Sequence, residues 1–208
     1  MQVMIITYFG KQFMKIQQGD MVLAFNPVSK SSKTGLGAHF GADIALVTTN
    51  HPDYNGLEQL SHGERVPFAI TGPGDYEVKE IFIRGVMVDT EISGKKYINT
   101  VYSLSVDNIN VAFLGALSNG EIPKDVREVI DGPDILFVPV SGISPKESAR
   151  LASSLEPKII IPMDYDNGSL KAFLKEVGEE KAEVVDKLTI KRKDLEGKEG
   201  EVVVLKSS

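Results

Sequence analysis

The chain has 208 residues, 42% of them hydrophobic and 25% charged, with 29 acidic against 23 basic side chains and a formal net charge of -6. That balance supports a folded core and excludes collagen-like, low-complexity and phosphate-backbone-binding classes, the last because nucleic-acid affinity rests on a basic footprint. Cysteine is absent, which removes disulfides, thiolate nucleophiles, Cys-type zinc sites and iron–sulfur clusters.

The first quarter reads as strands. Residues 3–8, 12–17 and 21–25 are short runs rich in β-branched, aromatic and other apolar residues, separated by Gly10 and by the turn Gln18-Gly19-Asp20. Asn26-Pro27 ends the third run, since proline gives no donor to a ladder. A polar loop follows over 29–41, and 42–48 (ADIALVT) is a continuous apolar run of the kind buried on both faces. The stretch TTNHPDYNGLEQL then reads as a loop leading into a short helix beginning near Asn55. Strands are expected at 68–71 and 81–88 with the turn Gly72-Pro73-Gly74-Asp75 between them, so GPGDYEV reads as a tight turn. Residues 101–106 and 109–114 form a hairpin around Asp107-Asn108, a favoured two-residue connection.

From Pro123 the period changes from 2 to 3.6. Helical faces are carried by Val126, Val129 and Ile130, then by Ala149, Leu151, Ala152 and Leu155 after Ser144-Pro145, then by Leu170, Phe173, Leu174 and Val177. Buried strands at 135–140 and 159–162 alternate with them, and the tail is expected to pair 188–192 with 202–205 as a hairpin. The order is β-rich, then βαβα: an α/β (α+β) chain with packed sheets and helices outside. No repeat and no linker divides it, so residues 1–208 read as one domain. No run of about 18 apolar residues exists for a membrane helix, and the first residues read as a strand rather than a signal peptide. The expectation is a soluble cytoplasmic protein.

Several motifs fail as sites. SGKKY lacks the glycine of a phosphate-binding loop, since position 89 is Asp, and reads as an exposed hairpin tip. No G-x-S-x-G elbow is present. Only His39, His51 and His62 are available as imidazoles, so a His-rich metal site is short of material, and His39 and His62 lie in polar loops without flanking acids. His51 and Asp53, after a buried strand, stand where α/β folds put their sites. They are suited to metal ligation or to acid–base work; the plainer reading has Asp53 capping the next helix and His51 filling space.

Taken together, Asn26-Pro27, ADIALVTTNHPDYN, GPGDYEV, IRGVMVDTE, INVAFLGAL, DILFVPVSG and KIIIPMDY resemble the metallo-β-lactamase superfamily, in the branch of small hydrolases similar to the L-ascorbate-6-phosphate lactonases. The resemblance covers nearly the whole chain. It implies an αββα four-layer sandwich and a two-metal site that generates a hydroxide nucleophile. The family's T-H-x-H-x-D-H stretch falls on Thr48 to Tyr54, so its first His is Thr49, its second His51, its Asp Asp53 and its last His Tyr54. The family's middle His matches Thr90, its metal-bridging Asp is Ala116, and its final His is Asp164. The first metal position thus keeps His51 beside two neutral hydroxyls. The second keeps Asp53 and gains Asp164, a set closer to Mg²⁺ or Mn²⁺ than to zinc.

Two functions follow. One is a degenerate family member without a metal cofactor, keeping a binding or scaffolding role toward a small molecule or a protein. The other is an atypical hydrolase using His51, Asp53 and Asp164 as an acid–base set or as ligands of a single weakly bound divalent ion. A homo-oligomer is a third expectation. Nucleic acid is not expected as a partner, because the basic residues are dispersed among acids.

Overall fold

The computed structural model describes residues 2–130 and 132–208. Among the described residues, fourteen strands form two sheets. The first is built from β1 (Met4–Tyr8), β2 (Met14–Gln18), β3 (Met21–Phe25), β4 (Ile44–Leu46), β5 (Phe68–Ile70) and β13 (Lys187–Ile190), in the order β13-β1-β2-β3-β4-β5. The second contains β6 (Gly74–Val78), β7 (Ile81–Ile92), β8 (Lys95–Val106), β9 (Ile109–Phe113), β10 (Ile135–Pro139), β11 (Ile159–Met163), β12 (Glu183–Val185) and β14 (Glu201–Leu205), in the order β12-β14-β11-β10-β9-β8-β7-β6. Three helices lie on the second sheet: α1 (Lys124–Val129), α2 (Pro145–Ser154) and α3 (Asn167–Glu176).

Period-2 burial explains the layering. In β1 and β2 alternate residues are fully inside (Met4, Ile6, Tyr8; Met14, Ile16), and they meet Phe113, Phe137 and Ile161 from the other sheet in one core between the sheets. The central strands β10 and β11 are buried along their whole length, because their second faces pack under the helices with Leu151, Ala152, Leu155 and Phe173. On the outer face of the six-stranded sheet the cover is made by Val28, Phe40, Leu57 and Leu60 over Phe13, Val22, Ala24 and Ala45. The helix expected near Asn55 is a single 3-10 turn there, Leu57–Gln59.

Two expectations are corrected. GPGDYEV is not a tight turn: Gly74–Val78 is strand β6, paired antiparallel with β7 from Gly74↔Gly85 to Val78↔Ile81. The turn is Lys79-Glu80, both residues at positive φ (51 and 65), the geometry that suits the right-handed twist of a two-residue hairpin. Asp107-Asn108, at φ 49 and 62, matches the hairpin read from sequence. The tail is not a hairpin either. Lys187–Ile190 pairs with β1 in one sheet, whereas Glu201–Leu205 pairs parallel with β11 and β12 in the other. Between them a 3-10 turn over Arg192–Leu195 buries Leu195 in the inter-sheet core, and Gly197 and Gly200 at positive φ (75 and 69) redirect the chain from one sheet to the other.

Candidate functional site

The loops after β4, β9 and β11 and the turn between β1 and β2 meet at one edge of the sandwich. Parallel strands put their carboxyl ends here, at the position where open α/β sheets gather functional groups. The residues singled out from sequence fall into two clusters.

The first cluster holds His51, Asp53, Tyr54 and Asp164. Asp164 follows β11 with φ 52 and is buried. Its Oδ2 accepts from the Tyr54 phenol at 2.8 Å and from Gln12 Nε2 at 3.4 Å, and its Oδ1 accepts from Lys11 Nζ at 3.2 Å. The Lys11 ammonium also lies 3.8 Å from Asp53 Oδ2. Asp53 does not cap a helix: the 3-10 turn starts at Gly56 without a side-chain cap, and Asp53 Oδ1 instead accepts from Ser32 Oγ at 2.6 Å. His51 Nδ1 accepts the Asp53 backbone N–H at 3.2 Å. The same nitrogen lies 3.9 Å from Asp53 Oδ2. The ring packs against Tyr54 and, edge-on, against Tyr97, with centroids 5.7 and 5.6 Å apart.

Burial drives the Tyr54 phenol well above the ordinary tyrosine range, with the neighbouring Asp164 charge, the hydrogen bond to it and Asp53 adding to the shift. Tyr8 is pushed upward mainly by burial as well. Both phenols keep their protons at neutral pH and act as fixed donors, Tyr8 to the Lys11 carbonyl at 2.8 Å and Tyr54 to Asp164.

The second cluster holds Thr49, Thr90 and Ala116, and it is neutral. Asn99 is its hub. Its Oδ1 accepts from Thr49 Oγ1 at 3.2 Å and from the Ala116 N–H at 2.8 Å, while its Nδ2 donates to the Leu114 carbonyl at 2.9 Å. Thr90 Oγ1 donates to the Ala116 carbonyl. Gly115, between them, has φ +67, and a Cβ there would collide with Asn99 Oδ1 and stand 2.8 Å from Thr48 Cβ and Oγ1. The glycine is required by this close approach.

A buried polar chain joins the clusters. Asn26 Nδ2 donates to Gln12 Oε1 and to Thr48 Oγ1, each at 2.8 Å, and the Thr48 N–H donates back to Asn26 Oδ1 at 2.8 Å. Asn26 holds φ 45, a conformation that asparagine tolerates better than most residues. Among the described residues every buried side-chain N or O has a partner.

Lys11, Gln12, Ser32 and Asn99 carry much of this site and were not legible as site residues. Lys11 and Asp164 are 153 positions apart, and nothing local to a Gly-Lys-Gln turn signals a distant carboxylate. His39 and His62, read as isolated, have ring centroids 6.2 Å apart but lie outside both clusters. A cleft of about 630 Å³ opens against Lys11 and Asp164, walled by Tyr8, Leu36, Tyr165 and Val204. The arrangement offers an anchored ammonium–carboxylate pair and the protonated Tyr8 phenol at one opening. Among the described residues no group of three or more His, Asp or Glu is disposed to hold a metal ion, and no helix is long and apolar enough to cross a membrane.

A family model described as a β-lactamase superfamily domain matches residues 5–164. Among solved structures, one from Thermotoga maritima, described as a Zn-dependent hydrolase of the metallo-β-lactamase superfamily, shares 28% identity at a TM-score of 0.76, over 97% of this chain and 98% of that one. A metal-dependent hydrolase, so described, from Parabacteroides distasonis aligns at 20% identity and TM-score 0.65 over 85% of this chain and 90% of that one. A metallo hydrolase from Ignicoccus hospitalis aligns at 16% identity and TM-score 0.63, over 91% and 99% of the two chains. No curated protein matches the sequence.

Proposed function

The chain belongs to the β-lactamase superfamily, and from that membership we propose that it is a catalytically degenerate relative of the metal-dependent hydrolases, keeping the metallo-β-lactamase fold for a binding or scaffolding role. The observation that carries this reading is the neutral cluster. At three positions where the resemblance puts metal ligands, Thr49 donates to Asn99, Thr90 donates to the Ala116 carbonyl, and Ala116 has no donor atom at all. Hydroxyls committed to internal hydrogen bonds, and a methyl group, do not fit a catalytic zinc that needs about three protein ligands. Without a bridging carboxylate at position 116, two metals have nothing to hold them at the separation two-metal hydrolysis requires.

The cleft beside Lys11 and Asp164 is large enough for a small ligand, and we take a small molecule or a protein as the partner. A cytoplasmic location and self-association belong to the same proposal.

The test is elemental analysis of protein purified without chelator, paired with thermal melts with and without Zn²⁺, Mn²⁺ and Mg²⁺. The expected result is no stoichiometric metal and no rise in melting temperature, since any ion that binds the native state must stabilise it by mass action. A tightly bound stoichiometric ion overturns the reading.

A second reading has one observation in its favour: Asp53 and Asp164 share the Lys11 ammonium at one edge of the sandwich, and His51 Nδ1 lies 3.9 Å from Asp53 Oδ2. On this reading they form an atypical hydrolytic site. Unchanged turnover of an identified substrate by Asp53→Asn refutes it.

A further inference from the structure

We propose that the Lys11 ammonium is a built-in replacement for a divalent cation, excluding metal ions from the Asp53–Asp164 pair. This inference rests on the degenerate reading and gives it a cause.

Lys11 sits in the β1–β2 turn with φ 52, and its backbone is clamped against the site. Its carbonyl accepts the Tyr8 phenol at 2.8 Å and the Asp164 N–H at 2.6 Å. The clamp fixes where the side chain starts, and the ammonium ends 3.2 Å from Asp164 Oδ1 and 3.8 Å from Asp53 Oδ2. Asp164 retains 7% of its side-chain exposure and Asp53 retains 19%, so each carboxylate has lost much of its water and needs a counter-charge. The remaining oxygens are occupied by donors: Tyr54 and Gln12 on Asp164, Ser32 on Asp53.

Two carboxylates converging on one cation offer the oxygen donors that Mg²⁺ and Mn²⁺ prefer. Here that cation is tethered. Its effective concentration is set by the fold rather than by solution, and a divalent ion has to displace it against Coulomb repulsion at close range. Unlike an ion, the ammonium supplies no Lewis acid and no coordinated water.

The experiment measures Mn²⁺ binding by calorimetry, and melting curves with and without Mn²⁺, for the wild-type protein, Lys11→Ala, Lys11→Gln and Lys11→Arg. The wild type and Lys11→Arg are expected to bind no Mn²⁺. Lys11→Ala and Lys11→Gln are expected to melt earlier and to bind one Mn²⁺ at least about tenfold more tightly than the weakest binding that the wild-type titration would detect, with Mn²⁺ restoring the lost melting temperature. Adding Asp53→Asn to Lys11→Ala should abolish that binding. If the neutral variants fold but gain no Mn²⁺ affinity, or unfold and are not rescued by Mn²⁺, the replacement idea fails while the degenerate reading stands. If the wild type binds Mn²⁺ with Lys11 in place, both fail.

Discussion

Tyr54 donates its phenolic hydrogen to Asp164 Oδ2 at 2.8 Å across 110 positions of sequence. The bond ties the loop after β4 to the loop after β11, one from each sheet, so it locks the two halves of the sandwich together at the candidate site.

Removing that hydroxyl leaves Asp164 Oδ2 with only the longer Gln12 contact. Tyr54→Phe is therefore expected to cost about 1–3 kcal/mol, as for a buried acceptor deprived of its donor. The same residue gives a pH signature. Its folded value is raised above the ordinary 10.0, so the stability linked to the protonated phenol is complete below pH 10 and is lost as the pH rises from there toward the folded value. Tyr8 and Tyr102 are shifted in the same direction, chiefly by burial. Denaturant unfolding across the alkaline range should show a fall in stability above about pH 10 that is shallower in Tyr54→Phe.

Asp43 predicts the acid side. Burial alone would raise its carboxyl, but the Lys79 ammonium at 2.6 Å, the Val22 N–H at 2.8 Å and Arg65 at 3.1 Å outweigh that and hold it below the ordinary 3.8. A lowered folded value means stability present above 3.8 and lost as the pH falls through the folded value. Asp43→Asn should be less stable than the wild type at neutral pH, and the difference between the two should shrink below about pH 4. A difference that stays constant through that window would show that Asp43 is not the linked group.

Gly115→Ala is expected to be among the most damaging small substitutions, at about 2–3 kcal/mol, because it meets both a positive φ and a collision with Asn99. Asn99→Ala should cost a similar amount, since it strands the Ala116 N–H, the Leu114 carbonyl and the Thr49 hydroxyl together. The two changes share partners, so a double-mutant cycle should give a combined loss smaller than the sum. Additive losses would mean that Asn99 is not what requires the glycine.

Much of the architecture could be read from local signals. Period-2 burial in β1 and β2, the Asp107-Asn108 turn, the capping box that Ser144 and Glu147 form at α2 and the all-apolar strands β10 and β11 are properties of adjacent residues. Local signals decide how a segment folds and which face it buries. The motif pattern goes further: it points to the superfamily and marks Thr49, His51, Asp53, Tyr54, Thr90, Ala116 and Asp164 as the positions that match its ligands. What neighbours in sequence could not decide was which distant segments meet. The tail strands read as hairpin partners, yet β13 completes one sheet and β14 the other, with Leu195 between them buried in the inter-sheet core. Lys79-Glu80 makes a hairpin without turn-forming residues, held by the ladder on either side. Above all, the charge balance of the site depends on Lys11, a residue unremarkable in its own turn. Its role exists only because the sandwich closes Asp53 and Asp164 around its ammonium, and a Coulomb contact between loops from two sheets leaves no trace in sequence spacing.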